Sequence, residues 1–209
     1  TRTEAVKDYR EAAEQDQRER RLFERVERVE GSDGKFAVVT RSENGAEQRY
    51  AGRKIVVATG YYDLPNLLGV EGEELPHVSH YYTQPHEFWN RDVMIIGGKN
   101  SAAEAALDLF RGGARVTLTH RGAELGTSIK YWVRPDIENR IKAGEIRALF
   151  QTQVTRIAAD HVVVRSGAGG EKSVAAQQVF ALTGYHPDFE FLEKLGVRLD
   201  PETRKPACN

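Results

Sequence analysis

The sequence is poor in cysteine, almost balanced in charge and without a long apolar run. Cys208 is its only cysteine, so an internal disulfide and a CxxC dithiol are both excluded, and a reducing cytosol is the expected compartment. A formal net charge of −1 gives no whole-chain attraction to nucleic acid or to an anionic membrane. No segment reaches the roughly 20 uncharged apolar residues that span a bilayer, and the highly charged first 21 residues have no secretory-signal pattern.

Both ends of the chain resemble internal segments of a longer protein. The chain begins at Thr1 rather than at a methionine, and residues 204–209 read as a segment that continues. We therefore expect a portion of a longer protein. Cys208 is interpreted as an incidental exposed thiol near a cut end.

The pattern that is present predicts an α/β fold. Residues 3–21 form a charged amphipathic stretch typical of an exposed helix, and residues 24–60 predict strands joined by glycine turns. Within them, the apolar run Ile55–Ala58 is typical of a buried strand. Residues 61–90 indicate an ordered connector because they are rich in bulky apolar groups. Beyond it, helices are predicted at 100–111 and 129–143, and strands at 92–96, 114–119, 146–150, 154–157, 161–165 and 179–182.

A glycine turn lies between the first strand and helix of the βαβ unit that begins at residue 92. In the dinucleotide-binding pattern G-x-G-x-x-G/A, the first glycine makes the tight turn and the last position packs the helix against the strand. Gly97 and Ala102 fill these positions, and the following helix N-terminus suits a pyrophosphate. Lys99 replaces the middle glycine, which weakens the motif, although its side chain could project over the phosphates. The candidate cofactor-binding residues here are Gly97, Gly98, Lys99, Asn100, Ser101, Ala102 and Glu104.

The turn by itself is equally consistent with a βα connection that binds nothing, and the end of the second strand favours the cofactor. That strand ends Thr119-His120-Arg121, without the Asp or Glu that NAD-preferring sites usually place there. Arg121 can pair with a 2′-phosphate, and Lys130 lies close enough in sequence to assist. Singly, either would usually be a solvated loop charge. Together with His120 they favour NADP(H) over NAD(H).

Four segments of the sequence, including the glycine turn, resemble those of a known family. They are Val56–Asp63, Val78–Tyr82, Ile96–Ala102 and Ala181–Asp188. The chain resembles the two-dinucleotide flavoprotein reductases of thioredoxin-reductase type, and within them the bacillithiol-disulfide reductase (YpdA-type) branch. A lysine at the position of Lys99 is usual in that branch. The resemblance implies that Thr59 and Gly60 lie near FAD and that Thr183 and Gly184 lie near NADPH. A Thr-Gly pair alone is more often only a turn.

The resemblance also implies a domain plan and a function. A Rossmann-like NADPH-binding domain, residues 85–185, is inserted in a partial FAD-binding domain with a strand-rich segment and a connector, residues 1–84, and residues 186–209 return to that domain. Electrons would pass from NADPH through FAD to a low-molecular-weight disulfide such as bacillithiol disulfide. The main FAD fingerprint and the redox cysteine are expected outside this chain, so none of its residues is assigned a catalytic role. A homo-oligomer stays open.

Several residues limit this interpretation. When Val78-Ser79 is aligned with thioredoxin reductase, Tyr81 and Gln84 stand where its CxxC cysteines would be, and neither can act as a dithiol. His77, His80 and His86 lack metal-ligand spacing. The resemblance suggests that His80 and Tyr81 face a flavin, whereas a packed loop histidine is the alternative. Tyr131 and Trp132 could line the nicotinamide or substrate entrance, or pack in the core.

Two other functions fit the same residues. A flavin-dependent monooxygenase shares the layout of two dinucleotide sites and would consume oxygen together with NADPH. A non-catalytic NADP(H)-binding module or redox sensor would bind the nucleotide without turnover, because the main FAD-binding turn is missing from these 209 residues.

Overall fold

The computed structural model describes residues 2–16, 19–167 and 169–206. They form two compact units, Thr1–Thr59 with Asp188–Asn209 (unit 1) and Gly60–Pro187 (unit 2). The predicted exposed thiol of Cys208 lies outside the described residues. Within the described ranges, no helix is long and apolar enough to cross a membrane.

The described residues form four α-helices, thirteen strands and one short 3₁₀ helix, each type numbered in chain order. The helices are α1 Arg2–Gln15, α2 Asn100–Arg111, α3 Arg134–Lys142 and α4 Phe189–Lys194, with the 3₁₀ turn at His86–Phe88. The strands are β1 Glu24–Ser32, β2 Lys35–Ser42, β3 Glu47–Gly52, β4 Leu64–Pro65, β5 Val78–Ser79, β6 Asp92–Ile96, β7 Arg115–Thr119, β8 Arg147–Leu149, β9 Thr152–Ile157, β10 His161–Ser166, β11 Glu171–Ala175, β12 Gln178–Ala181 and β13 Tyr185–His186.

Unit 1 contains the predicted strand-rich module as an antiparallel sheet of order β1-β2-β3. Its hairpins turn at glycines with positive φ, including Gly45 at +85°, as the Asn44-Gly45 pair predicts. The helix expected over residues 3–21 is shorter, because α1 ends at Gln15. After Ala13, no apolar residue follows until Leu22, so a longer helix would have no face to bury.

The prediction of a buried strand at Ile55–Ala58 is wrong. This segment belongs to no strand, and the side chain of Val56 is 89% exposed. An apolar run becomes a buried strand only where another strand accepts and donates its backbone hydrogen bonds. In the described part of the chain, no strand pairs with it.

Unit 2 is built on a five-stranded parallel sheet of order β5-β12-β6-β7-β8. Helix α2 packs on one face, where Ala102, Ala106, Leu109 and Leu118 join the larger core cluster. Helix α3 begins at Arg134 rather than at the predicted residue 129. Its start is set by the proline in its first turn, which has no N–H to continue a helix from the preceding residues.

The opposite face of the sheet carries a second, antiparallel sheet of order β11-β10-β9. Buried side chains of β6 and β12, including Met94 and Val179, pack there against Val162 and Val164 of β10. Strand β11 was not predicted, because its sequence EKSVA lacks the alternation of apolar and polar residues that indicates a strand. Val174 is its one buried residue. The connector is ordered as predicted, and it supplies β4, β5 and the 3₁₀ helix to unit 2.

The parallel strands β6, β7 and β12 end at one edge of the sheet, at Ile96, Thr119 and Ala181. Residues that follow these three strands are therefore brought together, which is where α/β sheets bind ligands. The assignment of residues 85–185 to an NADPH-binding domain, and of residues 1–84 and 186–209 to an FAD-binding domain, stays a prediction.

Candidate dinucleotide site

Gly97 closes the turn between β6 and α2 so tightly that only glycine fits. Its φ is +152°, and a Cβ would lie 2.5 Å from the carbonyl oxygen of Leu182 and 3.1 Å from Cβ of Ala102. Its N–H donates to the carbonyl of Thr119 at 3.0 Å. The turn is thus fastened to the ends of both neighbouring strands, and it brings the start of α2 close to the sheet edge.

Gly98 is buried beneath the imidazole of His120. A Cβ on Gly98 would lie 2.4 Å from Cγ of that ring, so a side chain there would displace it. The Gly98 carbonyl accepts a hydrogen bond from the N–H of Gly126 at 2.7 Å. The loop after β7 therefore folds back onto the glycine turn, and His120 is held between them.

One lysine and one arginine side chain give this end of the sheet a positive charge. Lys99 and Arg121 are both exposed, and no carboxylate within residues 2–16, 19–167 and 169–206 pairs with either one. Burial lowers the pKa of His120, and the charges of Arg121 and Lys99 lower it further. His120 is therefore neutral near pH 7, and the two longer side chains carry the positive charge that an anion would meet.

The first turn of α2 leaves its N–H groups available to an anion. Lys99 is the N-cap residue, and it makes no side-chain capping hydrogen bond. Asn100 accepts the N–H of Lys130 at 3.2 Å through its Oδ1 atom, whereas Ser101 is exposed and Ala102 is buried against the sheet. An uncapped helix start beside unpaired cations is a suitable site for a phosphate.

Lys130 has a carboxylate partner on α2. Its Nζ atom lies 2.8 Å from Oε1 of Glu104 and 5.7 Å from the ring centroid of Trp132. To assist Arg121 with a 2′-phosphate, Lys130 would have to leave Glu104. Tyr131 and Trp132 are 82% and 62% exposed, so the core-packing alternative for this pair is wrong and the entrance alternative stays a prediction.

A cleft of about 310 Å³ lies along α2 and is also lined by residues of the connector and by Leu182. On its inner side, the hydroxyl of Tyr82 donates to Oδ2 of Asp108 at 2.6 Å. Burial, together with this carboxylate, strongly raises the pKa of Tyr82, so the phenol stays protonated and remains a donor. The residues that line the cleft are Tyr62, Tyr82, Ser101, Glu104, Ala105, Asp108 and Leu182.

Thr183 and Gly184, which follow β12, form hydrogen bonds with the connector. The hydroxyl of Thr183 donates to the carbonyl of Asn66 at 2.6 Å, and the N–H of Asn66 donates to the carbonyl of Gly184 at 2.9 Å. Gly60 is the first residue of unit 2, whereas Thr59 belongs to unit 1, and both are exposed. The site residues predicted from Gly97 to Lys130 and at 183–184 thus share one unit, and Thr59 is outside it.

A cluster of stacked tyrosines in unit 2 was not predicted. The rings of Tyr62 and Tyr185 stack with centroids 4.0 Å apart, and Tyr81 stacks on Tyr185 at 5.5 Å. The Tyr185 hydroxyl donates to the carbonyl of His80 at 2.5 Å. The only sequence signal was the pair of Tyr-Tyr dipeptides at 61–62 and 81–82, and it did not indicate that β13 joins them.

Two connector histidines, His77 and His80, form hydrogen bonds with residues distant in sequence. His80 is packed, with Nδ1 3.2 Å from the carbonyl of Ala181 and Nε2 3.3 Å from Oε1 of Glu73. His77 lies 3.0 Å from the carbonyl of Ala158 through Nε2. Nowhere in the described residues do three His, Cys, Asp or Glu side chains form a group that could hold a metal ion.

Known proteins similar to the chain include three reductases. Bacilliredoxin reductase Bdr of Bacillus subtilis is 46% identical over 164 residues, which are 78% of this chain and 51% of that protein. The structure of bacillithiol disulfide reductase Bdr (YpdA) from Bacillus cereus is 42% identical, with a TM-score of 0.94 over 100% of this chain and 64% of its own. Lactococcus lactis thioredoxin reductase is 25% identical, with a TM-score of 0.70 over 84% of this chain and 57% of its own.

The chain thus spans about half the length of the curated relative from B. subtilis. A family model described as pyridine nucleotide-disulphide oxidoreductase matches residues 1–209, and the family uses a pyridine nucleotide and a flavin. This match agrees with the glycine turn, the parallel sheet and the resemblance seen in the sequence. The chain belongs to the pyridine nucleotide-disulphide oxidoreductase family.

Proposed function

We propose that the chain is the NADP(H)-binding portion of a cytoplasmic, NADPH-dependent flavoprotein that reduces a low-molecular-weight disulfide similar to bacillithiol disulfide. The observation that supports this most is the turn at Gly97, where a Cβ would lie 2.5 Å from the carbonyl oxygen of Leu182. Beside this turn, the end of β7 carries Arg121 and no Asp or Glu. The similarity to the bacillithiol disulfide reductase Bdr (YpdA) from B. cereus supports a low-molecular-weight disulfide as the class of substrate.

The residues of unit 2 fit a dinucleotide with a 2′-phosphate. Gly97, Asn100, Ser101 and Ala102 would hold the pyrophosphate at the start of α2, with Lys99 over it. Arg121 would pair with the 2′-phosphate, joined by Lys130 if it leaves Glu104. When bound, NADPH supplies a hydride, and the residues of this chain bind and orient it.

FAD contributes less to this proposal, since only the family resemblance connects it to particular residues. Thr59 and Gly60 would lie near the flavin, and Thr183 and Gly184 near NADPH. The chain spans about half of the B. subtilis relative, and the main FAD-binding turn and the redox cysteine are expected elsewhere in the full-length protein. No residue of this chain is therefore given a part in the reduction of the disulfide.

The test is to purify the full-length protein, record its flavin spectrum, and measure NADPH oxidation with a panel of disulfides and with oxygen. The proposal predicts bound flavin and NADPH oxidation in proportion to the disulfide added. Consumption of oxygen without disulfide would indicate the monooxygenase instead. Binding of NADPH with no flavin and no turnover would indicate the non-catalytic module.

A further inference from the structure

We propose that Asp108 makes this chain bind the oxidised nicotinamide ring more tightly than the reduced ring. Asp108 lines a cleft with Ser101 and Glu104, and the nicotinamide half of the proposed NADP(H) would lie in this cleft. This rests on the proposed NADP(H) binding, and it assigns a redox preference to one carboxylate. The oxidised nicotinamide ring carries a positive charge, whereas the reduced ring is neutral.

The position of the cleft follows from the two ends of the dinucleotide. With the pyrophosphate at the start of α2, the half that carries the 2′-phosphate extends toward Arg121, past the end of β7. The other half extends toward Leu182, past the end of β12. Ser101 belongs both to the first turn of α2 and to the cleft wall, so the cleft continues directly from the phosphate site.

The size and walls of the cleft suit a planar ring with a ribose. Its volume of about 310 Å³ is at the small end of the range for ligand pockets. Tyr62 lines it and is 54% exposed, while its ring is supported by the stack on Tyr185 at 4.0 Å. A planar ring can therefore lie against an aromatic surface that is already held in place.

Of the two carboxylates in the cleft, Asp108 is the one whose charge is less screened. Glu104 is exposed and lies 2.8 Å from Nζ of Lys130, so water screens its charge whether or not Lys130 stays beside it. Asp108 receives the neutral hydroxyl of Tyr82 at 2.6 Å, and no lysine, arginine or histidine in the described part of the chain forms an ion pair with it. Asp108 is also half-buried, so water screens its charge less than that of an exposed carboxylate. It is thus the group whose energy depends on the charge of the ring.

Tyr82 keeps this carboxylate in one orientation. Its ring meets Phe180 edge-to-face, with centroids 5.3 Å apart, and its hydroxyl stays protonated and donates to one oxygen of Asp108. The other carboxylate oxygen accepts no hydrogen bond from the described residues, and it is therefore left for the ligand. The same negative charge repels phosphate, which keeps the phosphate groups at the start of α2 and only the ring side in the cleft.

The test is calorimetric titration of the full-length protein with NADP⁺ and with 1,4,5,6-tetrahydro-NADP, a neutral analogue that cannot donate a hydride. Asp108→Asn keeps an oxygen for Tyr82 and removes the charge. We expect it to raise the Kd for NADP⁺ about fivefold and to change the Kd for the analogue less than about twofold. Asp108→Glu keeps the charge, and it should keep the preference for NADP⁺.

Asp160→Asn is the matched control, since Asp160 is 87% exposed and lies outside the cleft. Neither Kd should change with it. An equal loss of both ligands in Asp108→Asn, or no loss of either, overturns the redox preference while NADP(H) binding stands. If the unsubstituted protein binds neither ligand, the proposed function itself fails.

Discussion

Arg121 and His120 follow each other at the end of β7 and have different roles. The guanidinium of Arg121 is exposed and has no carboxylate partner in the described residues. It can therefore bind a phosphate without first breaking an ion pair. His120 covers Gly98 and is neutral because burial and two neighbouring cations lower its pKa. One side chain therefore offers charge, and the other shapes the turn that positions it.

Arg121→Ala should weaken NADPH binding far more than NADH binding, because only NADPH carries the 2′-phosphate. A lost charge-assisted hydrogen bond corresponds to about tenfold or more in Kd. Titration of both nucleotides with the full-length protein measures this. Equal losses for the two cofactors would contradict the assignment of Arg121.

His120 predicts a pH dependence of stability. Its pKa in the folded protein is lowered, so the unfolded chain binds a proton more readily at this position. Its contribution to stability is complete above the unfolded pKa of about 6.5 and is lost as the pH falls through the folded pKa. Between pH 7 and 5, the Tm should therefore fall less in His120→Gln than in the unsubstituted protein. Parallel curves for the two proteins would refute this.

At the scale of elements, the joint between β6 and α2 determines the site. The apolar strand and the alanine-rich helix face each other across a turn that has no room for a side chain. The helix start is uncapped and lies at the edge where three parallel strands end. The turn and the helix together, rather than one residue, create the place for a phosphate.

Gly97→Ala should damage this joint. The new Cβ would lie 2.5 Å from the carbonyl of Leu182, so strand or turn must move, at a cost of about 1–3 kcal/mol. Urea unfolding measures the loss of stability, and NADP⁺ affinity should fall with it. Gly170→Ala is the control, because a Cβ there meets nothing within 4 Å. A Gly97→Ala protein with unchanged stability would show that the turn can relax.

At the scale of the whole molecule, the two compact units differ in what they hold. Unit 2 contains the parallel sheet, the two hydrophobic clusters on the faces of that sheet, and every candidate residue from Gly97 onward. Unit 1 carries the antiparallel sheet β1-β2-β3, and its apolar segment at 55–58 has no strand partner in the described residues. The proposed site for the pyridine nucleotide therefore lies within one continuous stretch of chain.

We expect residues 60–187 to fold cooperatively by themselves and to bind NADP⁺. A hundredfold excess of ligand over its Kd should stabilise this piece by about 2.7 kcal/mol, which a thermal melt detects as a higher Tm. The same piece with Arg121→Ala should gain much less at equal ligand concentration. A piece without a cooperative transition would show that unit 2 needs the remaining residues in order to fold.

The sequence alone was enough to predict the α/β class, the βαβ unit with its bounds at 92–96 and 100–111, and the hairpins of unit 1. These follow from local patterns, such as apolar periodicity and glycine turns. The resemblance to the family likewise rested on short contiguous segments. Ile55–Ala58 shows the limit, because a strand needs a partner that its own residues do not specify.

The tertiary structure alone decided which distant residues meet. It brought together Lys130 and Glu104 as an ion pair, Tyr82 and Asp108 in a hydrogen bond, and Tyr185 and Tyr62 in a ring stack. These pairs are 26, 26 and 123 positions apart in the sequence. It also decided that Gly97 and Gly98 are glycines for want of space, next to Leu182 and His120. Such contacts depend on how strands are ordered in a sheet, and the strand order β5-β12-β6-β7-β8 cannot be derived from the local spacing of residues.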